Sequence, residues 1–182
     1  MNCFRLVFDV ITRGAGVDAR SAGECVEVAA RNKVLLHFLR SAGVEGPLRL
    51  REEARYARFL KTLREVAEAL RGVRHVFIKL RRPVAYVPSD VDVLVDRRDV
   101  GLAVVELRKR GFSVAVKDPY CVTMARGVDI VDLYVLPTLG GVAYLDAEGL
   151  FKHVESGRLW RRQVACPLPR RGGGPRGSAR RL

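Results

Sequence analysis

Amide side chains are nearly missing from this chain, with Asn2, Asn32 and Gln163 the only three. Arginine supplies most of the positive charge, so the composition fits a heat-adapted protein short of labile amides, and GC-rich coding explains it equally well. Cysteine is sparse and unpatterned: Cys3, Cys25, Cys121 and Cys166 form no C-x-x-C pair. His37, His75 and His153 share no ligand spacing either, which argues against a zinc site and for buried or free thiols rather than disulfides. Long apolar runs are absent too. No stretch of about 18 uncharged apolar residues is present to span a bilayer, so no membrane is expected as a partner. Met1 to Ile11 is faintly like a leader, but Arg5 and Asp9 interrupt its apolar part. This stretch reads as a strand, and the expected location is cytoplasmic.

What is present points to one catalytic domain with appendages. The length of 182 residues and the apolar fraction of 48% suit a folded core rather than a disordered chain. Thirty-three Lys and Arg against 20 Asp and Glu give a net charge of +13, which favours anionic partners such as nucleotides or nucleic acid.

Apolar residues recur at three- and four-residue steps from Ser21 to Ser41, predicting one helix ended near Gly43. Pro47 to Gly72 predicts a second, with Tyr56, Phe59, Leu63, Val66 and Leu70 on one face and Gly72 as its stop. Val73 to Leu80 then reads as a strand, followed by a strand over Asp90 to Val95. Asp96 to Asp99 opens a helix closed by Gly111, and Phe112 to Val116 returns as strand. Tyr120 to Ala125 and Val128 to Val135 flank Arg126-Gly127 as a two-residue hairpin. Asp146 to Ser156 predicts a last helix, and Trp160 packs the segment after it. The expected organisation is a strand and helix extension over 1–46, an α+β domain over 47–167 and a disordered Arg/Gly-rich tail over 168–182. That tail is either a tether for polyanions or a terminus without a role.

Chemistry concentrates in Pro88-Ser89-Asp90-Val91-Asp92-Val93. Residues two apart on a strand leave the same face with Cα atoms roughly 6.5 Å apart, so one divalent ion can bridge Asp90 and Asp92. Hard carboxylate oxygens suit magnesium, which completes its octahedron with water and phosphate oxygens. A third carboxylate lies in Val128-Asp129-Ile130-Val131-Asp132-Leu133-Tyr134. Asp132 is the choice, because an unpaired charge deep in an apolar run is costly, whereas Asp129 near the turn is read as solvated.

In these residues the chain resembles the nucleotidyltransferase superfamily related to DNA polymerase beta, especially its small archaeal and bacterial members. The resemblance covers about Val73 to Pro137. The family pattern is a strand ending in Gly-Ser, about ten residues, a pair of aspartates alternating with hydrophobic residues, and a later strand-borne carboxylate. The resemblance implies a mixed β-sheet flanked by helices and transfer of a nucleoside monophosphate from a nucleoside triphosphate to an acceptor hydroxyl. It further implies that Asp90 and Asp92 hold two magnesium ions, while Asp132 binds the catalytic one and helps activate the acceptor.

Two departures qualify it. Lys79 and Leu80 stand where Gly-Ser grips the triphosphate, with nine residues between Leu80 and Asp90. Lys79, Arg81 and Arg82 substitute for that clamp by charge, with Ser89 adjacent to the carboxylates, or they form a merely solvated basic turn. Family members commonly continue into a helical region that helps select the acceptor, but this chain runs into its tail. The helices from Ser21 and Pro47, or a partner chain, then complete the acceptor site. Two alternatives stay open. One is a catalytically degenerate module of the same fold that binds nucleic acid or a partner protein. The other, ranked lower, is a haloacid-dehalogenase-type phosphatase, whose required buried strand Pro83 and Pro88 interrupt. Tyr86 and Tyr120 are candidates to stack a base.

Overall fold

A computed structural model describes residues 2–80, 84–139, 142–143 and 146–152. The 168–182 tail, His153, Trp160, Cys166, Arg81 and Arg82 lie outside the described residues.

The N-terminus is a helix, α1 (Cys3–Arg13), and not the expected strand. Asn2 caps it by accepting the Arg5 N–H at 3.2 Å, and Cys3, Leu6, Val7 and Val10 recur at helical steps that bury Val7 and Val10. The single helix expected over 21–41 is three: α2 (Ala19–Glu24), α3 (Val26–Arg31) and α4 (Leu35–Ser41). The second break has a defined cause. The Asn32 side-chain amide donates back to the Val28 carbonyl at 2.8 Å, and Lys33 then adopts φ +58°. The bonds Lys33 N–H to Ala30 O at 2.9 Å and Val34 N–H to Ala29 O at 2.9 Å close a Schellman turn. Short helices thereby fold back on α1, and Val7, Val10, Ala22, Cys25, Ala29 and Phe38 form a small core of their own. A Cys3–Cys25 disulfide, against the expectation of free thiols, ties α1 to the α2/α3 junction.

The helix α5 (Pro47–Ala69) begins as expected, with proline in the first turn after Gly46. At 23 residues it is about 35 Å long, enough to run from the N-terminal helices across the whole sheet. Arg40 bridges α4 to it by a two-pronged pair with Glu53, at 2.9 and 2.5 Å.

Five strands form the sheet in the order β1-β2-β5-β4-β3. They are β1 (His75–Phe77), β2 (Val91–Val95), β3 (Ser113–Lys117), β4 (Cys121–Arg126) and β5 (Asp129–Tyr134). Only β2 and β5 run parallel, so the sheet is mixed. Helix α6 (Val100–Lys109) connects β2 to β3, and α7 (Ala147–Lys152) follows a short two-stranded ribbon, β6 (Thr138–Leu139) with β7 (Val142–Ala143). Phe59, Leu63, Val66 and Leu70 of the α5 region and Ala103 and Leu107 of α6 pack against Val91, Val93, Val131 and Leu133. Burying each large aliphatic or aromatic side chain is worth about 1.5–3 kcal/mol, and this shared face holds sheet and helices together.

The β4–β5 turn is Gly127-Val128, one residue later than expected. Arg126 remains in the ladder because its guanidinium is anchored, at 2.6 Å to Glu65 and 3.2 Å to Asp129, and lies over the Phe112 ring. Glycine then takes the first turn position at φ +58°, while Val128 keeps negative φ, which fits a type II′ turn. Asp129 is accordingly ion-paired and only 17% exposed, not solvated. His37 and His75 have structural roles, His37 Nδ1 accepting the Ala85 N–H at 3.3 Å and His75 Nδ1 lying 2.8 Å from the Val73 carbonyl.

Candidate metal centre

With one face of β2 and β5 committed to the core, alternation sends Asp92 and Asp132 to the other. Parallel pairing makes Asp92 and Asp132 direct neighbours across the two strands. Neighbouring strands lie about 4.8 Å apart, so two carboxylates in this register must face one another closely. Asp90, two residues before Asp92 and just ahead of the strand, joins them. One oxygen from each of Asp90, Asp92 and Asp132 lies within 4.8 Å of the other two, an arrangement able to hold a metal ion.

The surroundings fix these carboxylates and neutralise only part of their charge. The Thr123 hydroxyl on β4 donates to Asp132 Oδ1 at 2.6 Å and sets its orientation. Asp92 has an 8% exposed side chain, and Lys79 Nζ donates to its Oδ1 at 2.7 Å. The same ammonium lies 5.0 Å from the centroid of the Tyr134 ring. Asp90 is pushed above the ordinary carboxylate range, first by burial and then by the charges of Asp92 and Asp132; the Ser89 hydroxyl and Lys79 oppose the shift. Tyr134 is shifted upward by burial and by the same two carboxylates. Burial, followed by the charge of Asp132, drives the Cys121 thiol up to about 12. Burial is the leading cause in all three, and the negative charge of the carboxylates is the second, which a divalent cation would relieve. An all-carboxylate oxygen set suits a hard divalent cation, the class to which magnesium, calcium and manganese belong.

Of the residues singled out in the sequence, Asp90, Asp92 and Asp132 come together. Ser89 lies beside them, exposed at the rim. Lys79 reaches a carboxylate. It does so from φ +61°, a left-handed backbone that glycine adopts freely and other residues rarely do, so the position keeps a glycine-type conformation with a lysine side chain. Three cavities meet at Ser89. One of about 200 Å³ is lined by Lys33, Lys79, Tyr86, Ser89, Asp90 and Asp92. A second, of about 190 Å³, shares Lys33, Tyr86 and Ser89 with it. The third, of about 320 Å³, lies between α5 and the sheet, with Arg55, Arg58 and Asp90 on its walls.

Thr123 and Lys33 escaped the sequence reading. A hairpin turn placed at Arg126-Gly127 pairs Asp132 with Cys121, and only the true Gly127-Val128 turn puts Thr123 opposite it. Lys33 carries no periodic signal, because it lies at the break between two helices that the sequence pattern runs together. Compared with protein-family models, with curated proteins and with solved structures, the chain matches none.

Proposed function

We propose that the protein is a magnesium-dependent nucleotidyltransferase that moves a nucleoside monophosphate from a nucleoside triphosphate to an acceptor hydroxyl. The observation that carries this reading is the convergence of Asp90, Asp92 and Asp132 from two parallel strands. Asp90 and Asp92 would hold both ions, and Asp132, oriented by Thr123, would hold the ion on the acceptor side. Magnesium in such a pair supplies Lewis-acid stabilisation of the attacking and leaving oxygens of an in-line displacement. Asp132 would also accept the acceptor's proton. Lys79 stands beside the carboxylates, where its charge can pass from Asp92 to a phosphate oxygen once a metal takes its place; Arg81 and Arg82 are proposed to extend the same basic clamp. The wall of Arg55 and Arg58 offers the acceptor an anion-attracting approach from α5, and a partner chain is the other source.

One observation favours a second reading. The Lys79–Asp92 pair at 2.7 Å supplies a built-in counter-cation, as expected of a degenerate module that binds nucleic acid or a partner protein without using a metal. The net charge of +13 suits that binding. Incubation with magnesium, each of the four α-labelled triphosphates, and RNA or cell extract separates the two. Label transfer lost in Asp92→Ala supports the enzyme, and salt-sensitive RNA binding with no transfer supports the module.

A further inference from the structure

Among the described residues only two other than glycine adopt positive φ, Lys33 at +58° and Lys79 at +61°, and both line the same cavity. One comes from the N-terminal helical unit and the other from the end of β1, so the cavity of about 200 Å³ lies between the two halves of the chain. Its remaining polar wall is Ser89, Asp90 and Asp92. The cavity is therefore lined by two lysines together with two of the candidate metal ligands, Lys79 and Asp92 being paired at 2.7 Å. A small, multiply charged anion carrying a metal matches both kinds of group, and a cavity this size is too small for a whole nucleotide.

Lys33 is the informative member. Lys79 is engaged with Asp92, whereas no carboxylate among the described residues pairs with Lys33. Lys33 occupies the residue after the C-cap of α3, the place glycine takes at the end of α6, where Gly111 has φ +85°. Folding favours glycine there, and a lysine costs conformational energy without forming an ion pair to offset it.

We propose that Lys33 is a phosphate-binding residue that, with Lys79, grips the metal-bound diphosphate end of the triphosphate. The N-terminal helices are then part of the nucleotide site and supply what the Lys79-Leu80 replacement of Gly-Ser removes. This inference rests on the metal-centre reading above. Lys33 acts on phosphate and touches none of the three carboxylates, so its removal should spare metal binding.

Calorimetric titrations with Mn²⁺ alone, and with pyrophosphate in the presence of magnesium, separate the two claims. The variants are Lys33→Gly, Lys33→Ala and Lys33→Arg. Lys33→Gly suits the left-handed backbone and should melt at or above the wild-type temperature, so any loss of binding in it is not a folding failure. The expected result is unchanged Mn²⁺ affinity in all three, with pyrophosphate affinity reduced roughly ten- to hundredfold in Lys33→Gly and Lys33→Ala and largely kept in Lys33→Arg, since a charge-assisted contact is lost only in the first two. Wild-type pyrophosphate affinity in Lys33→Gly, with Mn²⁺ still bound, overturns the role of Lys33 and leaves the metal centre standing. Failure of the wild type to bind Mn²⁺ overturns the metal centre, and this inference with it.

Discussion

Asp90→Asn should make the protein more stable and less functional at once. The carboxylate oxygens of Asp90, Asp92 and Asp132 lie within 4.8 Å of one another. At an effective dielectric of about 20, two unit charges at that separation repel by about 3 kcal/mol. Lys79 offsets part of this through Asp92, and solvent at the partly exposed Asp90 screens more, leaving a net gain of about 1–2 kcal/mol when its charge is removed. In a protein of this size, that raises the melting temperature by roughly 2–8 °C in EDTA. The sign of the pH dependence follows. The folded Asp90 holds its proton more tightly than the unfolded chain does, so the wild type gains stability as pH falls from Asp90's raised folded value toward 3.8, and the variant lacks this gain. With metal the order reverses in sensitivity: free Mn²⁺ at about 100 times its dissociation constant should stabilise the wild type by about 2.7 kcal/mol, and Asp90→Asn much less. Differential scanning fluorimetry in EDTA and in Mn²⁺ reads all of these quantities. An Asp90→Asn protein that melts below the wild type in EDTA, or gains as much from Mn²⁺, refutes the reasoning.

Reducing the Cys3–Cys25 bond, which closes 22 residues of chain, should cost the N-terminal helical core about 3 kcal/mol, and denaturant melts with and without reductant should show it; coincident melts would count against a stabilising bridge. Cys121, held up to about 12 by burial and Asp132, should alkylate at pH 8 about 10³-fold more slowly than an ordinary thiol, as mass-spectrometric labelling would detect. Hydrogen bonds from Arg40, then from Arg49, hold Glu53 down at about 2, below the 4.5 of a free glutamate, so the pair's stabilisation is full above pH 4.5 and fades as pH falls toward 2. Arg40→Ala should therefore destabilise by about 1–2 kcal/mol at pH 7 after allowing for solvent, and less at pH 3; an equal loss at both would contradict the ion pair as the cause.

The acidic face of the sheet was legible because two signals agreed. Val91, Val93, Val131 and Leu133 alternate with Asp92 and Asp132, and both periods of two survive in β2 and β5. The long amphipathic α5 was legible for a similar reason, since Phe59, Leu63, Val66 and Leu70 repeat over about three turns where no local interaction competes. Local competition explains the failures. Short apolar runs fit either period, so Met1 to Ile11 passed for a strand until the Asn2 cap decided it. The continuous helical pattern over 21–41 conceals the Asn32–Lys33 turn, because a left-handed lysine leaves no compositional mark where a glycine would. The disulfide needed α1 to lie against α2 and α3, a tertiary fact that spacing of single cysteines does not carry. Thr123 depended on a register that a one-residue error in the turn displaces by two.

The central claim is a divalent metal centre that serves triphosphate chemistry. A crystal of the protein grown with Mn²⁺ and a triphosphate whose α,β-bridge resists cleavage tests it most directly, through anomalous scattering. Two manganese peaks about 3.5–4 Å apart are expected among Asp90, Asp92 and Asp132, with phosphate oxygens completing their shells and Lys79 moved off Asp92. An absence of peaks, with Lys79 still paired to Asp92, would contradict it.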